Sequence, residues 1–278
     1  MRTRIISGVI MAAGGVVALL IGGAFAGLIV MLIALGAYYE LCKACGVLDK
    51  EKIPVNLATV MGYAVIILFY LNMIFGKAET GAEVNIILLI ILVLWQLAVY
   101  VFTYPRFKSG QIMAGVFNVL YAPFMLSFLY PMMVGFEHGK YIVFLVFVAS
   151  SISDACAYFV GVSIGKHKLA PVVSPKKSIE GSVGGIVGAA LIGMIYGIIL
   201  TKTGIFPQSK VIWEFALIGG LGSIVSQIGD LAASAIKRDF GIKDYSKLIP
   251  GHGGIMDRMD SICVTTPIIY YLAYYLLK

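Results

Sequence analysis

Charge is scarce in this sequence, and the scarcity excludes much of what the chain could be. Lys, Arg, Asp and Glu make up 13% of its 278 residues, apolar side chains make up 60%, and the mean hydropathy is +0.96. A soluble globular domain carries about 25% charged and about 45–50% apolar residues, so a soluble core is excluded. The apolar runs are continuous rather than alternating. That excludes a transmembrane β-barrel and leaves helices, whose backbone groups are satisfied internally.

Other absences narrow the chemistry. Only four cysteines are present, Cys42, Cys45, Cys156 and Cys263. Cys42-x-x-Cys45 has redox or metal spacing, but without a second pair or a nearby His it reads as ordinary membrane-helix cysteine. No G-x-x-x-x-G-K-[ST] loop occurs, which excludes a P-loop nucleotide site. There is no solenoid-length repeat and no low-complexity tract. A cleavable signal peptide is not expected, because Arg2 and Arg4 precede a stretch with no polar break and no clear small-residue processing site. The formal charge is +7, yet the basic residues are spread along the loops. Anionic lipid headgroups and phosphate-bearing substrates account for them better than nucleic acid does.

What is present is a series of apolar stretches long enough to cross a bilayer. The expected fold is all-α and polytopic, with about nine transmembrane helices near 5–21, 24–41, 54–75, 84–104, 111–135, 140–162, 182–203, 211–235 and 261–277. The first two are joined by "GGAFAG" and form a tight hairpin in this reading. With nine spans, 16 of the 21 Lys and Arg residues fall on the N-terminal side of the membrane, among them Arg2, Arg4, Lys43, Lys50 and Lys52. The other 5, including Lys278, fall on the opposite side. By the positive-inside rule the N-terminus is cytoplasmic, in a multi-pass protein of the cell (inner or plasma) membrane. Residues 1–135 (spans one to five) are almost purely apolar, whereas 136–278 (spans six to nine) carry the polar residues and the motif loops. The mixed-sign loop "KACGVLDKEKIP" between spans two and three reads as a solvated connector.

Two carboxylates lie inside apolar spans: Asp154 in "SSISDACAYFVGVSIGKHK" and Asp230 in "SIVSQIGDLAASAIKRD". Burying an ionised carboxylate in a membrane costs at least about 2.5–3.5 kcal/mol, which makes each either a functional group or half of an interhelical hydrogen bond. Between spans six and seven, "GKHKLAPVVSPKKSIEGSVGG" is held out of helix by Pro171 and Pro175 and crowded with Lys166, Lys168, Lys176 and Lys177. Ser178 can cap the next helix. Its free N–H groups behind paired lysines make a plausible phosphate cradle, with Gly181, Gly184, Gly185 and Gly188 either admitting the phosphate or packing helices closely.

The stretch Ser234 to Asp260, "SAIKRDFGIKDYSKLIPGHGGIMDRMD", holds nine charged residues in 27. Asp257 and Asp260 are three apart and share a helix face, where like charges repel unless a cation lies between them. With Asp230 they form a set of hard oxygen donors of the kind Mg²⁺ prefers. His252, within Gly251, Gly253 and Gly254, can donate to a phosphate, act as a base, or bond only backbone.

Read through Ser234, Ile236, Lys237, Arg238, Lys243, Asp244, Ser246, Ile249, Pro250, His252, Gly253, Gly254, Ile255, Asp257, Arg258, Met259 and Asp260, this stretch resembles the signature of the phosphatidate cytidylyltransferases, or CDP-diacylglycerol synthases. "SPKKSIEGSVGG" resembles that family's second recurring motif. "DACAY" departs from it: the family commonly has Asp-Thr before the Ala-Tyr pair, whereas here Asp154 is followed by Ala155 and Cys156, with no hydroxyl beside the acid. The resemblance implies that CTP and phosphatidate give CDP-diacylglycerol and pyrophosphate, with Mg²⁺ required and, in some members, a second monovalent cation (K⁺). It implies a homodimer among membrane lipids, and metal ligation by the carboxylates matching Asp230 and Asp257.

The residues fit that chemistry on their own terms. Phosphatidate brings its own nucleophile, a monoester with a second pKa near 6, so no Ser-His-Asp arrangement is needed. Joining two polyanions needs metal and Lys/Arg clamps. In this assignment Asp230, Asp257 and Asp260 hold metal, and Lys237 and Arg238 complete the catalytic group. Lys176, Lys177, Ser178, Lys243 and His252 bind substrate, and Arg258 either pairs the acids or touches phosphate. Asp154 either holds a lysine in place or completes the ion site. Two rivals stand. An ion-coupled transporter would bind its ion at Asp154 and Asp230. A CTP-dependent lipid or polyprenol kinase would need a general base on an alcohol.

Overall fold

Gly22 and Gly23 adopt positive φ (67° and 53°) and break the chain between α1 (Arg2–Ile21) and α2 (Gly23–Ala44), within "GGAFAG". The computed structural model describes residues 2–48, 55–77 and 80–277, and the side chains of these except 2–6 and 9–12. Lys50, Lys52 and Lys278, the side chains of Arg2 and Arg4, and the second half of "KACGVLDKEKIP" lie outside the described residues. Beyond α2 come α3 (Leu57–Phe75), α4 (Gly81–Thr103), α5 (Ser109–Val119), α6 (Met125–Ser127), α7 (Leu129–Val134), α8 (Gly139–Phe147), α9 (Ser153–Ile164), α10 (Ile179–Lys202), α11 (Val211–Asp239) and α12 (Met256–Leu276). Among the described residues, seven stretches are long and apolar enough to cross a membrane, so the chain is an integral membrane protein. They are α2, α3, α4, 109–134, 139–164, α10 and α11.

Two of those stretches are interrupted without being broken. A π turn at Leu120–Phe124 accommodates Pro123 within 109–134, and another at Val148–Ile152 joins α8 to α9. Such bulges rotate the side chains that follow, and the second immediately precedes Ser153 and Asp154.

The chain forms two units, each with its own core. The first comprises residues 1–130 and 240–259. Its core gathers Tyr38, Val65, Ile66, Tyr70, Leu92 and Val119 from α2 to α5. Asn56 starts α3 by accepting from the Ala58 and Thr59 amides (3.0 and 3.1 Å), while the Thr59 hydroxyl accepts from the Asn56 amide. Buried Tyr70 donates to the Pro123 carbonyl at 2.9 Å. Cys42 and Cys45 are unpaired thiols against Asn118, and burial raises Cys45 above its ordinary pKa, consistent with inert helix cysteines.

The second unit comprises residues 131–239 and 260–278. Small residues at every fourth position of α10 (Gly181, Gly185, Ala189, Gly193, Gly197) are buried against its neighbours. A Cβ added at Gly219 of α11 would come 2.6 Å from the Ala189 carbonyl, so the two backbones touch. The opposite stripe of α10 (Val183, Val187, Leu191, Ile195, Ile199) is exposed. Gly181, Gly184, Gly185 and Gly188 all face α9, at Ala157, Val160, Ser153 and Cys156. Close helix packing therefore acts at all four, and Gly181 also lines the cavity described below.

Candidate active site

The lysine-rich connector before α10 is a two-stranded antiparallel hairpin, β1 (Lys168–Ala170) and β2 (Ser174–Ser178), with Lys168 opposite Ser178. Pro171 and Pro175 keep it from being helix, and local bonds fix its base. Ser178 is the N-cap of α10, its hydroxyl accepting from the Gly181 amide at 3.1 Å. The Ile179 amide donates to the His167 carbonyl at 2.9 Å. The Glu180 carboxylate accepts from the Lys166 amide at 3.0 Å and lies 2.6 Å from the His167 ring.

This hairpin delivers Lys177 onto Asp230 of α11, an ion pair whose two side chains are each 26% exposed. Gln227, one turn before Asp230, ties α11 to α10: it accepts from the Ser182 hydroxyl and donates to the Ser182 carbonyl at 3.1 Å. Ser153 and Ser223 bond across α9 and α11 at 2.6 Å. The polar groups thus sit on a braced three-helix frame. A cavity of about 470 Å³ opens there, lined by Asp154, Lys168, Lys176, Lys177, Ser178 and Asp230 and by the apolar side chains of Val162 and Leu169 and the Tyr158 ring. Two carboxylates and three ammonium groups interspersed with apolar side chains can hold a polyanion whose tail is greasy.

In the first unit, the glycine-rich stretch before α12 folds back over Asp257. Asp257 Oδ2 accepts from the Tyr245 amide at 2.8 Å and the Gly254 amide at 2.9 Å. Gly253 has φ +88°, and a Cβ there would lie 2.8 Å from that same oxygen, so this position needs glycine. The Ser7 hydroxyl lies 2.8 Å from His252 Nδ1 and 3.0 Å from the Pro250 carbonyl. Its single proton serves one of them: when it goes to Pro250, the His252 tautomer protonated at Nδ1 donates to Ser7.

The structure thus gathers Lys176, Lys177, Ser178 and Asp230 around one cavity, and adds Asp154 to them. Lys237 and the exposed Arg238 occupy the last turn of α11, where cations meet the helix's negative end. Asp257 and His252 belong to the first unit, as do the exposed Lys243 and Arg258. Asp260 belongs to the second, where Gly229 packs on its carbonyl. Its own Oδ1 accepts from the Ser261 amide at 2.8 Å.

The family resemblance implies Mg²⁺, and the donor chemistry fits it. Carboxylate and hydroxyl oxygens line the cavity without thiolate or imidazole. Among the described residues no three His, Cys, Asp or Glu side chains form a ready cage. Mg²⁺ characteristically takes one or two carboxylates plus substrate phosphates and water, so no such cage is required.

One polar group escaped the sequence reading. Glu40, the only acid in α2, is 1% exposed and accepts from Ser246, Ile255 and Met256. The rule that singled out Asp154 and Asp230 applies to it equally.

A sequence model of the cytidylyltransferase family matches residues 2–276. The chain is 43% identical over 158 residues to a phosphatidate cytidylyltransferase of Mycobacterium bovis, covering 57% of this chain and 49% of that protein. To the phosphatidate cytidylyltransferase of Haemophilus influenzae it is 39% identical over 140 residues, covering 50% of this chain and 48% of the relative. To that of Bacillus subtilis it is 39% identical over 137 residues, covering 49% and 48%. The chain spans about half the length of these curated relatives.

Proposed function

The chain belongs to the cytidylyltransferase family, and on that premise we propose that it transfers the cytidylyl group of CTP to phosphatidate, releasing CDP-diacylglycerol and pyrophosphate for phospholipid synthesis. The observation that carries this reading is the cavity lined by Lys168, Lys176 and Lys177, by Asp154 and Asp230, and by apolar side chains such as Val162 and Leu169. Triphosphate and headgroup need the cations; acyl chains need the apolar lining.

In the reaction, a phosphate oxygen of phosphatidate bonds to the α-phosphorus of CTP as the bond to the bridging oxygen breaks, and pyrophosphate leaves with the electron pair. The nucleophile is already largely dianionic at pH 7, so the protein's work is positioning and charge stabilisation. Lys176 and Lys177 clamp phosphate, with Asp230 holding the Lys177 ammonium in place. Lys237, Arg238, Lys243, Arg258 and His252 add donors, and Ser178 presents the N-terminus of α10. Asp230, Asp257 and Asp260 are the carboxylates assigned to Mg²⁺; one or two of them, with substrate oxygens and water, would hold the ion, which would neutralise charge on the phosphates and the leaving group. Asp154 either steadies a lysine or adds an oxygen to a second, monovalent site such as K⁺.

The reading includes nine spans, α1 and α12 joining the seven, and a cytoplasmic N-terminus. Residues 1–135 embed the protein in the inner membrane, and 136–278 carry the chemistry at its cytoplasmic side. It works among membrane lipids as a homodimer. The test is to follow label from CTP. α-³²P entering a chloroform-soluble CDP-lipid while γ-³²P leaves as pyrophosphate supports the reading; γ-³²P entering lipid would make the protein a kinase.

A further inference from the structure

Glu40 is a buried acid of α2 to which the proposed reaction gives no role. Its carboxylate is spread over the segment that leads into Asp257. Oε1 accepts from the Ser246 hydroxyl at 2.5 Å and the Ile255 amide at 2.9 Å, and Oε2 accepts from the Met256 amide at 2.7 Å. The first N–H groups of a helix have no partner within it, so Glu40 acts on α12 as a cap supplied by another helix.

Steric fit makes the same point. One turn earlier on α2, Gly36 leaves room for the Ile255 side chain, and a Cβ at Gly254 would collide with the Glu40 carboxylate. The Gly254 amide meanwhile donates to Asp257 Oδ2. Residues 254–256 are therefore pinned between two carboxylates, one buried in α2 and one directed by the pinning. A buried carboxylate is costly in this setting, and an apolar side chain would fill the space at less cost. What an apolar residue would not do is fix the direction in which α12 begins.

We propose that Glu40 is a positioning residue for Asp257: by bonding Ser246, Ile255 and Met256 it holds the first turn of α12 where the Asp257 carboxylate can take a divalent cation. The proposal rests on the metal role given to Asp257 above. Groups acting behind metal ligands typically change metal affinity by about 10–100-fold when removed.

The test uses the full-length protein in detergent with CTP present and Mn²⁺ as probe, binding being read from loss of the free-ion electron paramagnetic resonance signal. Mg²⁺-dependent turnover is measured alongside. Glu40→Gln should weaken Mn²⁺ binding at least about tenfold, raise the Mg²⁺ concentration for half-maximal rate in parallel, and leave the KM for CTP within about twofold. Glu40→Asp, which keeps the charge on a shorter stem, should recover part of the loss. Ser246→Ala, which removes one of the three bonds, should fall between wild type and Glu40→Gln, and keeps the proposal testable if Glu40→Gln fails to fold. An active wild type whose folded Glu40 and Ser246 variants bind Mn²⁺ unchanged overturns the positioning role and leaves the proposed reaction standing. A folded wild type that neither binds Mn²⁺ nor turns over overturns the reaction, and this role with it.

Discussion

Lys177 of β2 is ion-paired with Asp230 of α11, bringing together a loop lysine and an intramembrane acid 53 positions apart in sequence. With each partner about a quarter exposed, the pair contributes little to stability, about 0–1 kcal/mol. Its value lies in placing an ammonium group at the cavity wall. Lys177→Met should leave the thermal midpoint within a few degrees of wild type and lower kcat/KM by about a hundredfold or more, as loss of a preorganised charge contact does. Steady-state kinetics beside a melting curve checks this.

Ser178 provides the contrast. Its hydroxyl is engaged with the Gly181 amide as a helix cap. Ser178→Ala should cost about 1 kcal/mol of stability, with turnover falling by less than about tenfold. A loss as large as that of Lys177→Met would give the hydroxyl a direct part in binding substrate.

Asp257→Asn separates shape from charge. The side-chain amide oxygen can still accept from Tyr245 and Gly254, so the loop should persist while the carboxylate charge is lost. Folded, monodisperse protein with turnover down about a hundredfold or more is the expected outcome. Gly253→Ala tests the same loop from the backbone. A Cβ at φ +88° and 2.8 Å from Asp257 Oδ2 adds strain of about 1–3 kcal/mol. Both the melting temperature and turnover should fall.

In the second unit, Gly219→Ala puts a methyl group 2.6 Å from the Ala189 carbonyl, forcing α10 and α11 apart. Overpacking of this kind costs about 1–3 kcal/mol. A lower melting temperature in detergent, at unchanged KM for CTP, is the result to look for.

How much of this was legible in the sequence follows from what each signal encodes. Apolar length encodes spans: seven of the nine expected stretches meet the membrane criterion, and α1 and α12 are helices where the other two were placed. The Ser178 cap and the break at Pro171 and Pro175 were readable because capping and proline act over three or four residues. Pairing of β1 with β2 was not, since a strand of three residues leaves no period to detect. The four glycines of α10 were ambiguous because small residues serve both phosphate approach and helix packing; only the position of α9 shows the packing. Lys177 and Asp230 were each singled out, but their pairing is a tertiary fact. Glu40 was passed over because the apolar character of α2 masked a single acid whose partners lie more than 200 residues away.

The most direct test of the central claim is pyrophosphate release by the purified protein in detergent, with CTP and Mg²⁺, in the presence and absence of phosphatidate. Release should depend on phosphatidate, be matched mole for mole by CDP-diacylglycerol, and collapse in Asp257→Asn. A folded protein that releases no pyrophosphate when lipid and ions are varied would contradict it.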